Sequence, residues 1–178
     1  IPPVFITACS SETGFPLLLI YNKSLTTGIF PSKWKVAKVV PVHKSDDNDV
    51  VTNYRPISIL SSFAKVFESL ICPYIQDHLK IYLTDHQHGF VRTRSTSTNL
   101  VPFTELLTKG IDAGYQADVI YTDFSKAFDK VSHKILITKL RAYGISGSLL
   151  EWLSSYLTDR FFFVVVNGYQ SDLKCISS

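Results

Sequence analysis

Methionine is absent from all 178 residues, cysteine occurs three times, and no apolar run approaches the roughly 20 residues that a helix needs to cross a bilayer. Each absence excludes something. A chain without methionine has no start of its own, so we treat it as part of a longer product. Cys9, Cys72 and Cys175 lie too far apart for a zinc site, and their odd number and scattering fit a reducing compartment. No stretch of these 178 residues reads as a signal peptide, an internal repeat or a low-complexity segment. Charge is modest as well, with a net +3 that makes the chain only mildly basic. What remains is apolar: 46% hydrophobic and 13% aromatic residues exclude a disordered chain. A chain of this length buries roughly 70% of its unfolded surface, enough for one substantial core or two small ones.

Taken in order, Leu17, Leu18, Tyr21 and Leu25 recur at helical spacing within Phe15 to Leu25, and the helix ends near Gly28. Val36 to Val40 with Val42 reads as a strand, and Pro41 marks an edge or bulge. Lys33, Lys35, Lys38 and Lys44 crowd this segment. They serve either to keep a solvated edge from aggregating or to contact phosphate. Residues 45–53 are polar and charged, a loop between two strands. Pro56 then holds Arg55 extended, where a guanidinium can fork onto a phosphate or make an ordinary surface ion pair.

Ser61 or Ser62 caps a helix whose Phe63, Val66, Phe67, Leu70, Ile71, Tyr74 and Ile75 form one apolar stripe, read as core. Pro73 inside it is expected to kink or end the helix. Residues 85–99 form a polar loop, followed by a helix from about Thr96 to Ile111 with Pro102 near its first turns. His86 and His88 flank Gln87, but no cysteine or carboxylate completes a convincing metal set. An amphipathic helix spans Ser132 to Tyr143 and closes on Gly144 as a left-handed cap. Another, opened by Ser146 or Ser148, carries Leu149, Leu150, Leu153, Tyr156 and Leu157 on its face. Phe161 to Val166, a turn at Asn167-Gly168 and a return strand reaching Cys175 read as a hairpin.

The sequence reads as organised around ADVIYTDFSKAFDKVSH, residues 117–133. Val119-Ile120-Tyr121-Thr122 is β-branched and aromatic, and reads as a buried strand that places Val119, Tyr121 and Asp123 on one face. A carboxylate at the end of a central strand is held rigidly enough to be a magnesium ligand. A turn residue or helix cap is the alternative that spacing alone leaves open.

Several stretches together resemble the reverse transcriptase domain of non-LTR retrotransposons. They are Trp34-Lys35 with the strand to Lys44, NYRPISIL at 53–60, KVFE at 65–68, the QHGF and RST elements at 87–96, DFSKAFDKVSH at 123–133 and LLEWLSSYLTDR at 149–160. The order and spacing are similar too, from about Leu17 onward.

The resemblance implies an α+β, right-hand polymerase fold, with helices packed on a mainly antiparallel sheet. Residues 1–30 would be a helical lead-in, 31–115 the fingers and 116–178 a partial palm. It further implies that Asp123 is the catalytic carboxylate, holding two Mg²⁺ ions with help from the backbone carbonyl of Phe124. Lys44 and Arg55 would hold the incoming deoxynucleoside triphosphate, and the Phe128 ring would exclude ribonucleotides by clashing with a 2′-hydroxyl. Gln87, Gly89, Phe90, Arg94 and Ser95 would lie along the RNA template, although Val91 stands where the family has arginine. The implied partners are an RNA template, a DNA primer and the remainder of the retrotransposon polyprotein, in cytoplasm and nucleus and without a membrane. The family's Gly-x-x-Gln-Gly stretch and x-Asp-Asp turn are not in these 178 residues, so the chain alone is expected to be catalytically incompetent. The rival reading is a non-catalytic retroelement remnant that binds RNA or DNA weakly.

Overall fold

The computed structural model describes residues 2–125 and 127–176. The chain divides into two compact units, one built from residues 1–75 and 128–178 and the other from residues 76–127.

In the first unit, helices α1 (Pro3–Ala8) and α2 (Ser10–Thr27) lead into strand β1 (Val36–His43) and strand β2 (Tyr54–Ile59). Helix α3 (Ser62–Leu79) starts in this unit. The chain returns to it for α5 (His133–Ala142), α6 (Gly147–Leu157), β3 (Phe161–Val166) and the short strands β4 (Tyr169–Gln170) and β5 (Lys174–Cys175). The strand order is β2-β1-β3-β4, with β5 also on β3. Three of the four pairings are antiparallel, as expected from the sequence, but β1 and β3 run parallel. That pairing joins residues more than a hundred positions apart and left no local mark.

Both prolines of the sheet face each other, Pro41 opposite Pro56. The amide of Lys44 donates to the carbonyl of Asn53 at 2.8 Å. Counting back from that bonded pair, the prolines fall on a non-hydrogen-bonded pair, where a missing N–H costs the ladder nothing. Strand β1 therefore continues through Pro41. Between β3 and its returning partners the register slips by one residue, from Val165 opposite Gln170 to Phe162 opposite Lys174. The extra residue is a β-bulge. Ser171 holds the ladder next to it, accepting the amide of Val164 with its Oγ at 2.9 Å and donating its own amide to the Val164 carbonyl at 2.9 Å. The expected turn is present: Asn167 and Gly168 both have positive φ, 50° and 84°, as a type I′ turn demands.

The core is aromatic. Phe67 stacks on Tyr21 at 4.3 Å and meets Trp152 edge-on at 4.9 Å, while Phe30 packs edge-on against Tyr156 at 5.1 Å. KVFE and LLEWLSSYL, two motifs that carried the resemblance, thus meet in one cluster. The stripe on α3 is only partly core. Phe67 is buried, but Leu70 and Tyr74 are exposed. Pro73 neither ends the helix nor shortens it, since α3 continues six residues beyond.

The second unit holds the end of α3, the loop 83–95 and helix α4 (Thr96–Asp112), which matches the expected span and runs through Pro102. The strand expected at 119–122 does not form. These residues join no ladder, with Ile120 88% and Tyr121 82% exposed. A strand exists only through a neighbour's ladder, and β-propensity spans only about 1 kcal/mol. No described strand pairs with this segment.

Candidate nucleotide and template site

Lys44 and Arg55 come together. Arg55 lies opposite Val42, and the Lys44 to Asn53 bond continues the same ladder by two residues. Alternation then puts Lys44 and Arg55 on one face of the ribbon as diagonal neighbours, about 7–8 Å apart. Both are exposed, and neither enters an ion pair among the described residues. The loop between them is stiffened from within. Tyr54 Oη donates to the Asn48 carbonyl at 2.9 Å, and Asn53 Nδ2 to the Asp47 carbonyl at 2.9 Å. Two cations on a short braced ribbon can clamp a polyphosphate.

The loop carrying Gln87, Gly89, Phe90, Arg94 and Ser95 is held by its own polar side chains. The Arg94 guanidinium donates to the carbonyl of Asp85, to the carbonyl of Gln87 at 3.0 Å and to the Asp85 carboxylate at 3.4 Å. Gln87 Nε2 donates to the Gly89 carbonyl at 2.9 Å. Ser95 is the N-cap of α4. Its Oγ accepts the Thr98 amide at 3.2 Å, while Thr98 Oγ1 accepts the Ser95 amide at 2.8 Å. This reciprocal capping box was legible in the Ser-x-x-Thr spacing but was missed. Phe90 is exposed. Its φ is 61°, a strained value for a non-glycine residue, and its ring is 87% exposed.

Asp123 and Phe124 sit in the irregular stretch after residue 122, both exposed; Phe128 lies in a turn, with its ring 79% exposed. Lys126, read from the sequence as part of the turn after Asp123, lies outside the described residues. A carboxylate and a backbone carbonyl are hard oxygen donors of the kind magnesium takes. Among the described residues, however, no three His, Cys, Asp or Glu side chains gather into a group that could hold a metal. These residues do not by themselves build a two-ion site.

Sequence reasoning also missed the polar bonds that brace the aromatic core. Tyr156 donates from Oη to the Glu68 carboxylate at 2.9 Å, and the Arg160 guanidinium lies 4.8 Å over its ring. Burial, then the charge and hydrogen bond of Glu68, push the Tyr156 hydroxyl up to about 12, against a smaller opposing pull from Arg160. Trp152 Nε1 donates to Ser24 Oγ at 2.9 Å, which in turn donates to the Ile29 carbonyl at 2.6 Å.

Comparison with known proteins shows the family. Residues 42–176 match the family described as reverse transcriptase (RNA-dependent DNA polymerase). The chain is 36% identical over 163 residues to the probable RNA-directed DNA polymerase from transposon BS of Drosophila melanogaster, covering 86% of this chain and 17% of that protein. It is 31% identical over 166 residues to the RNA-directed DNA polymerase from mobile element jockey of the same species, covering 91% of this chain and 18% of that protein. Similarity at 24% over 135 residues extends to the Pol polyprotein of retrotransposable element R2 from Popillia japonica, covering 76% and 19%. The chain belongs to the reverse transcriptase family, in its non-LTR retrotransposon branch. It spans about a sixth of the length of the first two of these relatives. No helix among the described residues is long and apolar enough to cross a membrane.

Proposed function

We propose that this chain is the fingers and first part of the palm of an RNA-directed DNA polymerase, and that its parent copies an RNA template by adding deoxynucleotides to a DNA primer. The observation that carries this reading is the match of residues 42–176 to the reverse transcriptase family. The exposed pair Lys44 and Arg55 on one face of a braced ribbon supports it.

In this reading Lys44 and Arg55 bind and orient the triphosphate of the incoming nucleotide. The loop held by Arg94 and Gln87 offers Phe90 to the template, a ring on which a base can stack. Arg94 and Ser95 act by positioning that loop and the start of α4. Phe128 excludes a 2′-hydroxyl by its bulk. Asp123 and the Phe124 carbonyl supply part of a magnesium site whose other carboxylates belong to the longer parent. Magnesium, when bound, would stabilise charge on phosphate oxygens.

Nucleotide selection tests this assignment. In the longer parent, Phe128→Val should raise incorporation of ribonucleotides relative to deoxynucleotides by at least about tenfold, since one steric clash in a binding pocket contributes about 1–3 kcal/mol of discrimination. Unchanged selectivity in a folded variant would remove Phe128 from the nucleotide site. A non-catalytic nucleic-acid binder remains the second reading, favoured by the unpaired segment 119–123 and by the incomplete set of metal ligands. Loss of template-dependent synthesis on Asp123→Asn would exclude it.

A further inference from the structure

Helix α5 carries an unbalanced charge that the proposed polymerase site does not use. Between Asp129 and Glu151 the chain contains no carboxylate, yet Lys130, Lys134, Lys139 and Arg141 all fall there. All four are exposed, and none enters an ion pair among the described residues.

The helix is rigidly mounted. It packs against α6, and Leu136, Ile137 and Leu140 on its inner side are half-buried. Its C-terminus closes in a Schellman motif, with the Ile145 amide donating to the Leu140 carbonyl at 3.0 Å and the Gly144 amide to that of Arg141 at 3.0 Å. The buried Ile145 pins that end. At 100° per residue, Lys134 and Arg141 lie almost in line on the outer face, about 10 Å apart along the axis. Thr138 stands between them, while Lys139 lies about 140° round from Lys134, on the opposite flank of the exposed surface.

Helix stability accounts for only half of this pattern. Cations in the last turn, Lys139 and Arg141, complement the negative end of the helix dipole. Lys134 does the opposite: with Ser132 as N-cap it occupies the second helical position, where a cation is unfavourable and no acidic residue offsets it. Lys130 adds another charge just ahead of the same positive end. Two exposed cations at the positive end of a helix held by packing, with two more at its other end and no carboxylate among them, fit a polyanion.

We infer that the exposed surface of α5 and its lead-in, with Lys130, Lys134 and Arg141 as the main contacts and Lys139 on the other flank, is a second nucleic-acid contact that holds the RNA phosphate backbone without reading its bases. This inference rests on the reading of the parent as an RNA-copying enzyme, which sets the polyanion as RNA. The face contributes affinity and salt dependence, not sequence preference.

The test is a salt titration of the full 178-residue chain with single-stranded oligouridylate. Each phosphate contact on a single strand contributes about 0.7 to the slope of log affinity on log salt concentration. Replacing all four residues by glutamine should lower affinity at least tenfold at about 0.1 M salt and flatten the slope by about 3. Exchanging the three lysines for arginine should preserve both. Circular dichroism and thermal melting confirm that the variants fold, since all four side chains are exposed. An unchanged slope would overturn the inference, as would capture of polyglutamate through these residues without any RNA binding, which would indicate an acidic protein partner. Primer extension by the longer parent is scored separately. Synthesis with an unchanged RNA slope removes only the α5 contact, whereas a flattened slope without synthesis removes the polymerase reading and leaves the contact standing.

Discussion

At the scale of single residues, the molecule depends on a few buried polar groups whose partners come from distant parts of the chain. Ser24 is 5% exposed and satisfies the indole N–H of Trp152, 128 residues away. Ser24→Ala should leave that donor unpaired in the core and cost about 1–3 kcal/mol, measured by denaturant unfolding. Tyr156 gives a pH signature. Its folded-state value, near 12, lies above the ordinary 10, so the folded form keeps the proton that the unfolded form loses first. The contribution is full below pH 10 and is lost as pH rises from about 10 to 12. Tyr156→Phe should therefore lose less stability than the native chain across that window, read as the difference between their two unfolding curves. Neither side chain could be assigned this role from sequence. The apolar spacing of α6 brought Tyr156 into the core, but nothing local names Glu68 or Arg160 as its partners.

Elements were legible wherever their determinants are local. The boundaries of α4 and α5 follow from hydroxyl caps and three-to-four-residue periodicity, and the hairpin turn follows from Asn-Gly. Gly28 ends α2 with φ 68°, and a methyl group there would come within 2.7 Å of Glu151 Cβ. Gly28→Ala should thus cost more than the roughly 1–2 kcal/mol of left-handed backbone strain alone, visible as a lowered melting temperature. Elements that depend on a distant neighbour were not legible. Residues 119–122 have strand composition without a strand, because composition does not supply a ladder. The parallel pairing of β1 with β3 and the slipped register at Ser171 were equally silent. Pro73 does not end helix α3, which runs on to Leu79 despite a local cost of about 3 kcal/mol.

At the scale of the whole molecule, the motifs that marked the family serve two different ends. KVFE and LLEWLSSYL supply the aromatic core and its Glu68–Tyr156 bond, whereas NYRP, QHGF and DFSKAFD place exposed groups. The first set was recognisable in sequence as words but not as packing. The second gave the candidate site, of which Lys44 and Arg55 are brought together by register while Asp123 lies in irregular chain. A lone carboxylate with a neighbouring carbonyl should not support synthesis, so the 178-residue chain by itself is expected to extend a primer no further than a protein-free control. The decisive measurement is RNA-templated primer extension by the longer parent, native against Asp123→Asn, with RNA affinity measured alongside. Synthesis falling to background while RNA affinity holds is the expected result. Synthesis persisting at the native rate in the Asp123→Asn protein would contradict the assignment of Asp123 to the chemistry.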